Sequence, residues 1–269
     1  MRLDRHLALH ALLPSRTLAQ KVIRLGGVRV NGERVLEVAY EVKPDDQIEL
    51  ERLPLTDFVS QGALKLLKAL QVFECRFDGL RVWDIGASTG GFTQCALQYG
   101  ASLVYATDVG HDQLHASLRS DSRVRVFEGL NVKEVTSELF APTGGIDVAV
   151  CDVSFLSLTA IFPVLARLLP EAGWAVCLVK PQFEMGERFA NKHGVVRGEA
   201  LHQRILHHVC AQAQEVGLLT KGLTYSPLGG GLQKNIEYLL WVQKMGEGTA
   251  LALEREIPLV VQAAHEELG

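Results

Sequence analysis

The run DIGASTGGF, residues 84–92, closes an apolar segment with a carboxylate, turns through Gly86, Gly90 and Gly91, and enters an apolar helical pattern. A glycine-rich turn ahead of a helix commonly receives a phosphate on the free N–H groups of the helix start. Here the spacing is D-x-G-x-x-x-G-G, and Ser88 stands where a dinucleotide loop has the central glycine that lets a pyrophosphate approach. Asp84 repels a phosphate and attracts an ammonium. S-adenosylmethionine carries an ammonium, a sulfonium and a ribose but no phosphate, so it suits this loop better than a dinucleotide. The next apolar segment, SLVYATDV, ends in Asp108, whose carboxylate can accept both hydroxyls of a ribose.

Further charged residues recur where strands are predicted to end: Asp152 in CDVSF, Lys180 in LVKPQFE and Glu237 in NIEYLLW. Lys65, in the helix before the first of these strands, can reach the same crevice. Two lysines and two carboxylates beside a methyl donor suit a hydroxyl nucleophile, because a ribose hydroxyl is too weakly acidic to attack unaided. A lysine beside a second ammonium in a poorly solvated cleft can take a proton, and flanking carboxylates orient it. Lys180 is the central candidate for this base.

The elements that must position these residues follow from the alternation of pattern after about residue 60. Strand LRVWDI is followed by a helix from Thr93, then strands SLVYATDV, VRVFEG and IDVAVCDV, a helix through Leu169, strand WAVCLVK, a helix from Glu199, and late strands around LTYSPL and IEYLLWV. The alternation predicts an α/β fold with a doubly wound, mainly parallel sheet, and segments such as IDVAVCDV are apolar on both faces, as buried parallel strands are. Ligands of such sheets sit at the carboxyl ends of the strands.

The first residues are organised differently. LDRHLALHALL has leucines at near-helical spacing, Ser15 can cap a second helix SRTLAQKVIRL, and VRVNGERV alternates around Asn31-Gly32, a strong hairpin signal. This predicts a small α+β domain over residues 1–53, a linker over 54–59 and a large domain over 60–269. Residues 1–34 carry Arg2, Arg5, Arg16, Lys21, Arg24, Arg29 and Arg34 against Asp4 and Glu33 alone, while residues 37–51 are mostly acidic. Arg16 and Lys21, with Arg29 and Arg34 of the hairpin, can border one phosphate-binding face.

The chain has 269 residues, 48% hydrophobic, with a net charge of −4. That balance excludes a uniformly basic nucleic-acid coat and leaves a local patch as the only route to RNA. The five cysteines are widely spaced with no C-x-x-C pair, which suits reduced thiols in a cytoplasmic protein. The N-terminal sequence lacks the apolar run of a signal peptide, and no membrane span is expected. His111, His115, His202, His207 and His208 lack carboxylate or cysteine partners at ligand spacing, so no metal is expected.

RLDRHL, then PSRTLAQKVIRLGGVRVNGERV, then VKPDDQIEL resembles, over about residues 2–50, the alpha-L RNA-binding motif named for a ribosomal small-subunit protein. That resemblance implies Arg16, Lys21, Arg24 and Arg29 as contacts to structured RNA. SQGALKLLKAL, DIGASTGGFT, DVGHDQLH, FEGLN, DVSFLSL, LVKPQFE, KHGVVR and NIEYLLW together resemble the TlyA or hemolysin A family of ribosomal RNA methyltransferases, whose catalytic domain is FtsJ-like. The resemblance implies a class I, Rossmann-like methyltransferase and ribose 2′-O-methylation of a cytidine in ribosomal RNA or assembled ribosomal subunits; no obligate protein partner is evident in the sequence. It places a Lys-Asp-Lys-Glu tetrad on Lys65, Asp152, Lys180 and Glu237. It places cofactor residues on Gly86, Ala87, Ser88, Gly90, Gly91, Phe92, Asp108 and Asn131. Ser60-Gln61-Gly62 departs from the Ser-Arg-Gly common in the family, as Asp57-Phe58 departs from its usual linker.

Three other readings compete. A membrane-active hemolysin would need a spanning or strongly cationic amphipathic segment. An RNA-binding protein that holds S-adenosylmethionine without turnover would be expected to have a broken tetrad. A base methyltransferase would carry an Asn-Pro-Pro-Tyr-like loop where this chain has Asp152-Val153-Ser154-Phe155. The polar segment EMGERFANKHGVVRGEA, residues 184–200, is expected to close over the acceptor ribose.

Overall fold

A computed structural model describes residues 1–10, 12–13, 15–51, 58–184, 194–229, 235–244 and 251–268. Most of the expected linker (54–59) and of the expected closing segment (184–200) lies outside the described residues. The first unit contains α1 (Leu3–Leu9), α2 (Arg16–Arg24), β1 (Val28–Val30), β2 (Glu33–Arg34) and β3 (Ile48–Leu50). Ser15 Oγ accepts from the N–H of Leu18, supplying the predicted cap to α2. At the hairpin turn Asn31 and Gly32 have φ of 53° and 82°, the left-handed pair that a two-residue type I′ connection demands. The sheet order is β2-β1-β3, all antiparallel, over a core of Leu3, Leu7, Val22, Ile23 and Val28.

The second unit runs α3 (Ala63–Val72), β4 (Arg81–Ile85), α4 (Gly91–Gln98), β5 (Leu103–Thr107), α5 (Ala116–Arg119), β6 (Val124–Phe127), β7 (Val148–Cys151), α6 (Phe162–Leu168), β8 (Trp174–Val179), α7 (Pro181–Glu184), α8 (Glu199–Glu215), β9 (Leu218–Gly229), β10 (Ile236–Lys244) and α9 (Leu253–Leu268). The sheet order is β6-β5-β4-β7-β8-β10-β9; β4 to β8 pair in parallel, and β10 is antiparallel to both neighbours. The order of the strands reverses between β4 and β7, the switch point at whose carboxyl ends ligands of such sheets sit. All of β7 is buried, with Val148 and Val150 in the core on one face of the sheet and Ala149 and Cys151 in the core on the other.

Several elements differ from the sequence expectations, beginning with the short helices α5 and α7, which lie outside the expected set. Helix α4 begins already at Gly91, because Gly90 in the left-handed conformation (φ 96°) turns the chain directly into it. Strand β9 starts at Leu218, upstream of LTYSPL; pairing with β10 along its length carries it through Gly222 and Pro227. Helix α9 was not expected at all, and it buries Ile257, Val261 and Ala264.

The two units share a polar seam. On one side Glu267 of α9 accepts from Arg24 Nε at 2.7 Å and from the N–H of Val38 at 3.1 Å. On the other, Arg34 donates to Gln71 at 3.2 Å and Arg29 pairs with Glu74, both partners lying at the end of α3. Leu25 adds an apolar contact to the α3 core. Among the described residues no helix is long and apolar enough to cross a membrane.

Candidate active site

The loop leaving β4 is pressed against the chain leaving β7. Gly86 has φ of 81°, and a Cβ there would stand 2.6 Å from the carbonyl oxygen of Asp152, so only glycine lets the two turns approach this closely. Behind the loop lies Asp84, fully buried. Its Oδ2 accepts from Thr93 Oγ1 at 2.5 Å, and its Oδ1 has no partner. Burial pushes the carboxyl up to about 7, against the hydrogen bond from Thr93. Asp84 lines neither of the two cavities at this end of the sheet; it stands one layer behind the loop, with an orphaned acceptor.

The larger cavity, about 500 Å³, is bordered by Gly86, Ser88, Asp108, Asn131, Ser154 and Phe155 among others. Asp108 is held by two backbone donors, the N–H of Ser88 at 2.8 Å and of Gly110 at 2.7 Å, so the end of β5 also fixes the glycine loop. Asn131 Oδ1 accepts from the N–H of Lys133 at 3.0 Å and caps the turn beyond β6. The smaller cavity, about 200 Å³, lies between the loop and the charged groups; Gly86, Ala87, Ser88, Gly91 and Phe92 line it together with Asp152 and Lys180. Gly90 sits behind them at the start of α4.

The four charged residues meet in one chain of alternating sign. Glu237, near the start of β10, lies 2.8 Å from Lys65 Nζ of α3; Lys65 lies 3.5 Å from Asp152; and Asp152, just past β7, lies 2.7 Å from Lys180 Nζ, just past β8. Because β10 runs antiparallel to β8, the beginning of β10 falls at the same edge of the sheet as the ends of β7 and β8. Burial works against a charge on Lys65, but Asp152 and Glu237 outweigh it and hold the amine above the ordinary lysine range. Lys180 faces one carboxylate and one neutral acceptor, Ser154 Oγ at 2.9 Å, and it borders the smaller cavity while Lys65 does not.

Several participants escape sequence reasoning. Ser154 and Thr93 are short polar residues with no spacing signal, and their partners come from other elements. Phe155 is 90% exposed at the rim of the larger cavity with φ of 63°, and its ring meets that of Phe183, centroids 5.2 Å apart. In the sequence it lies in the DVSF run beside Asp152, where nothing in the spacing marks an exposed ring. In the first unit, Arg2 joins Arg16 on the buried carboxylate of Asp4, at 3.2 and 2.7 Å. Asp4 is lowered to about 2: its burial opposes ionisation, but hydrogen bonds from Gln20, Arg16 and Arg2 prevail.

The basic residues expected to meet RNA divide into two groups. Arg16 is 53% exposed and Lys21 is exposed. Arg24 and Arg29 instead point into the seam, where they pair with Glu267 and with Glu51 and Glu74.

The chain matches the FtsJ-like methyltransferase family over residues 58–244 and the S4 domain family over residues 1–48. It is 41% identical to the "Putative rRNA methyltransferase YqxC" of Bacillus subtilis (strain 168), covering 99% of this chain and 95% of that protein. It is 39% identical to the 16S/23S rRNA (cytidine-2'-O)-methyltransferase TlyA of Mycobacterium tuberculosis (strain ATCC 25618 / H37Rv), covering 90% of this chain and 89% of that protein. Among solved structures, the "Putative hemolysin from Streptococcus thermophilus" superposes with a TM-score of 0.74 at 40% identity, covering 99% of this chain and 96% of that chain. With the sheet, the glycine loop and the four-residue charge chain in place, these matches lead to one statement of kinship: the chain belongs to the FtsJ-like methyltransferase family.

Proposed function

We propose that the protein is an S-adenosylmethionine-dependent methyltransferase of ribosomal RNA, acting in the cytoplasm on the 2′-hydroxyl of a cytidine ribose in RNA or assembled ribosomal subunits. The observation that carries this reading is the unbroken chain Glu237–Lys65–Asp152–Lys180 beside the glycine loop. A protein that only bound RNA and cofactor would have no use for a lysine at the cavity edge linked through a carboxylate to a second lysine behind it. The name of the TlyA relative, a cytidine-2'-O-methyltransferase of 16S and 23S rRNA, supports the same acceptor.

The cavity residues fit the cofactor by their chemistry. Asp108 offers a carboxylate to ribose hydroxyls, Asn131 borders the same cavity, and the orphaned Oδ1 of Asp84 is an acceptor suited to an ammonium reached through the loop. Gly86, Ala87, Ser88, Gly90, Gly91 and Phe92 would shape the wall that holds it. When bound, S-adenosylmethionine supplies an electrophilic methyl group. Lys180, in its amine form, takes the proton of the ribose hydroxyl on Nζ, and Asp152 orients that nitrogen and shares the charge it acquires. Lys65, fixed as a cation by Glu237, lowers the cost of negative charge gathering on the acceptor oxygen and keeps Asp152 in place. The exposed ring of Phe155 offers a stacking face to the base that follows the ribose into the crevice.

Residues 1–53 would form the RNA-binding domain, 54–59 the linker and 60–269 the catalytic domain. RNA would first meet Lys21 and Arg16, which stays exposed while paired with Asp4, and would reach Arg24 and Arg29 only by displacing their partners in the seam. Methyl transfer to intact ribosomal subunits, followed by mapping of the modified nucleotide, tests the reading. A methylated ribose supports it, and a methylated base sinks it.

A further inference from the structure

Beyond the Asp152–Lys180 pair, the chain leaving β7 and the chain leaving β8 are joined at three successive points. Lys180 Nζ donates to Ser154 Oγ at 2.9 Å, the rings of Phe155 and Phe183 meet, and Glu184 accepts from Ser157 Oγ at 2.7 Å and from the N–H of Leu158 at 3.2 Å. Glu184 is buried, so the outermost of these contacts is shielded from water and pins the chain between Asp152 and Leu158. Ser154 is thereby kept beside Lys180 although its own side chain is exposed.

The consequence lies in the tetrahedral nitrogen of Lys180. One of its four positions is the bond to Cε, a second points to Asp152 Oδ1 at 2.7 Å, and a third points to Ser154 Oγ. With both contacts made, rotation about Cε–Nζ is locked and the fourth position, which carries the lone pair of the amine, has a single direction. With Asp152 alone, two orientations of the amine would keep that contact, with the second N–H and the lone pair exchanged, and only one of them would face the acceptor proton with the lone pair.

We propose that Ser154 is a positioning residue for methyl transfer: with Asp152 it fixes the rotation of Lys180 Nζ so that the remaining position of the nitrogen faces the acceptor hydroxyl. The inference rests on the assignment of Lys180 as proton acceptor made above. Ser154 also borders the larger cavity, so direct contact with the cofactor is the rival account. The two differ in what they move, since loss of a cofactor contact weakens cofactor binding and loss of a Lys180 contact slows turnover at saturation.

The test uses the full-length protein with intact ribosomal subunits and radiolabelled S-adenosylmethionine, under single-turnover conditions with enzyme in excess. Cofactor affinity is measured separately by calorimetry. Ser154→Ala is expected to lower the saturated rate about 10-fold, with cofactor affinity and half-saturating RNA within about two-fold of the parent, and Ser154→Thr, which keeps the hydroxyl, is expected to restore most of the rate. Ser154→Ala added to Lys180→Ala is expected to cost nothing further, because its effect runs through Lys180. An unchanged rate in Ser154→Ala, a loss confined to cofactor affinity, or multiplicative losses in the double variant would overturn the proposal. Full activity in Lys180→Ala would instead overturn the assignment of Lys180 on which it rests, so the two failures are told apart.

Discussion

Lys65 lies 2.8 Å from Glu237 and 3.5 Å from Asp152, so one cation from α3 is shared by carboxylates at the ends of β10 and β7. Without it Glu237 would lose its cation partner and Asp152 would keep only Lys180. Lys65→Met is expected to slow single-turnover methyl transfer by about 10²-fold or more, while calorimetry finds cofactor affinity little changed. A variant that turns over at the parent rate would remove Lys65 from the machinery.

Asp84 gives the ligand-free protein a pH dependence of known sign. Its folded carboxyl is raised from 3.8 to about 7, chiefly by burial, so the folded state holds a proton that the unfolded chain has released. Its contribution to stability is full below pH 3.8 and is lost as pH rises toward 7 and beyond. Asp84→Asn is expected to flatten this part of the curve of thermal midpoint against pH. Identical slopes for variant and parent would show that Asp84 is ionised at neutral pH in the free protein.

Lys68 poses the opposite case. It is fully buried, its Nζ has no hydrogen-bond partner and lies 3.4 Å from the centroid of the Tyr225 ring, and burial holds the amine well below the ordinary lysine value of 10.5. The unfolded chain therefore binds a proton that the folded chain refuses, and stability falls as pH drops below 10.5. Lys68→Met removes that penalty and is expected to raise stability by about 1–3 kcal/mol near neutral pH, read by denaturant unfolding. A destabilised variant would mean that the packing of the lysine chain and its amine against the ring outweighs the cost of burying the amine.

The basic residues of the first unit separate by function in the same spirit. Arg16→Ala and Lys21→Ala are each expected to weaken RNA binding across sequences and to reduce the slope of log affinity against log salt by about one. Arg24→Ala and Glu267→Gln should instead reveal a coupling of about 1 kcal/mol in a double-mutant cycle for unfolding, as expected of a partly exposed pair. Additive effects would mean that the 2.7 Å contact between them contributes nothing to holding the units together.

Much of this was legible in the sequence because the signals are local. Alternating elements after about residue 60 announced the doubly wound sheet, and Asn31-Gly32 announced the hairpin with its left-handed turn. The charged residues at strand ends could be grouped because a doubly wound sheet brings its strand ends to one edge, although nothing local states that Lys65 bridges Glu237 and Asp152. What stayed hidden depends on contacts distant in the chain. Helix α9 has ordinary amphipathic composition, and only the fold reveals that it carries Glu267 to Arg24. The diversion of Arg24 and Arg29 into the seam likewise follows from where the two units touch. Asp84 was legible as the carboxylate of the motif, whereas its place behind the loop and its hydrogen bond from Thr93 were not.

The most direct measurement is methyl transfer to intact ribosomal subunits by Lys180→Ala beside the parent protein, with cofactor binding measured on both. The account predicts a methylated ribose with the parent, and a rate lower by about 10²-fold or more with the variant at undiminished cofactor affinity. Methylation of a base, or a Lys180→Ala variant that transfers methyl groups as fast as the parent, would contradict it.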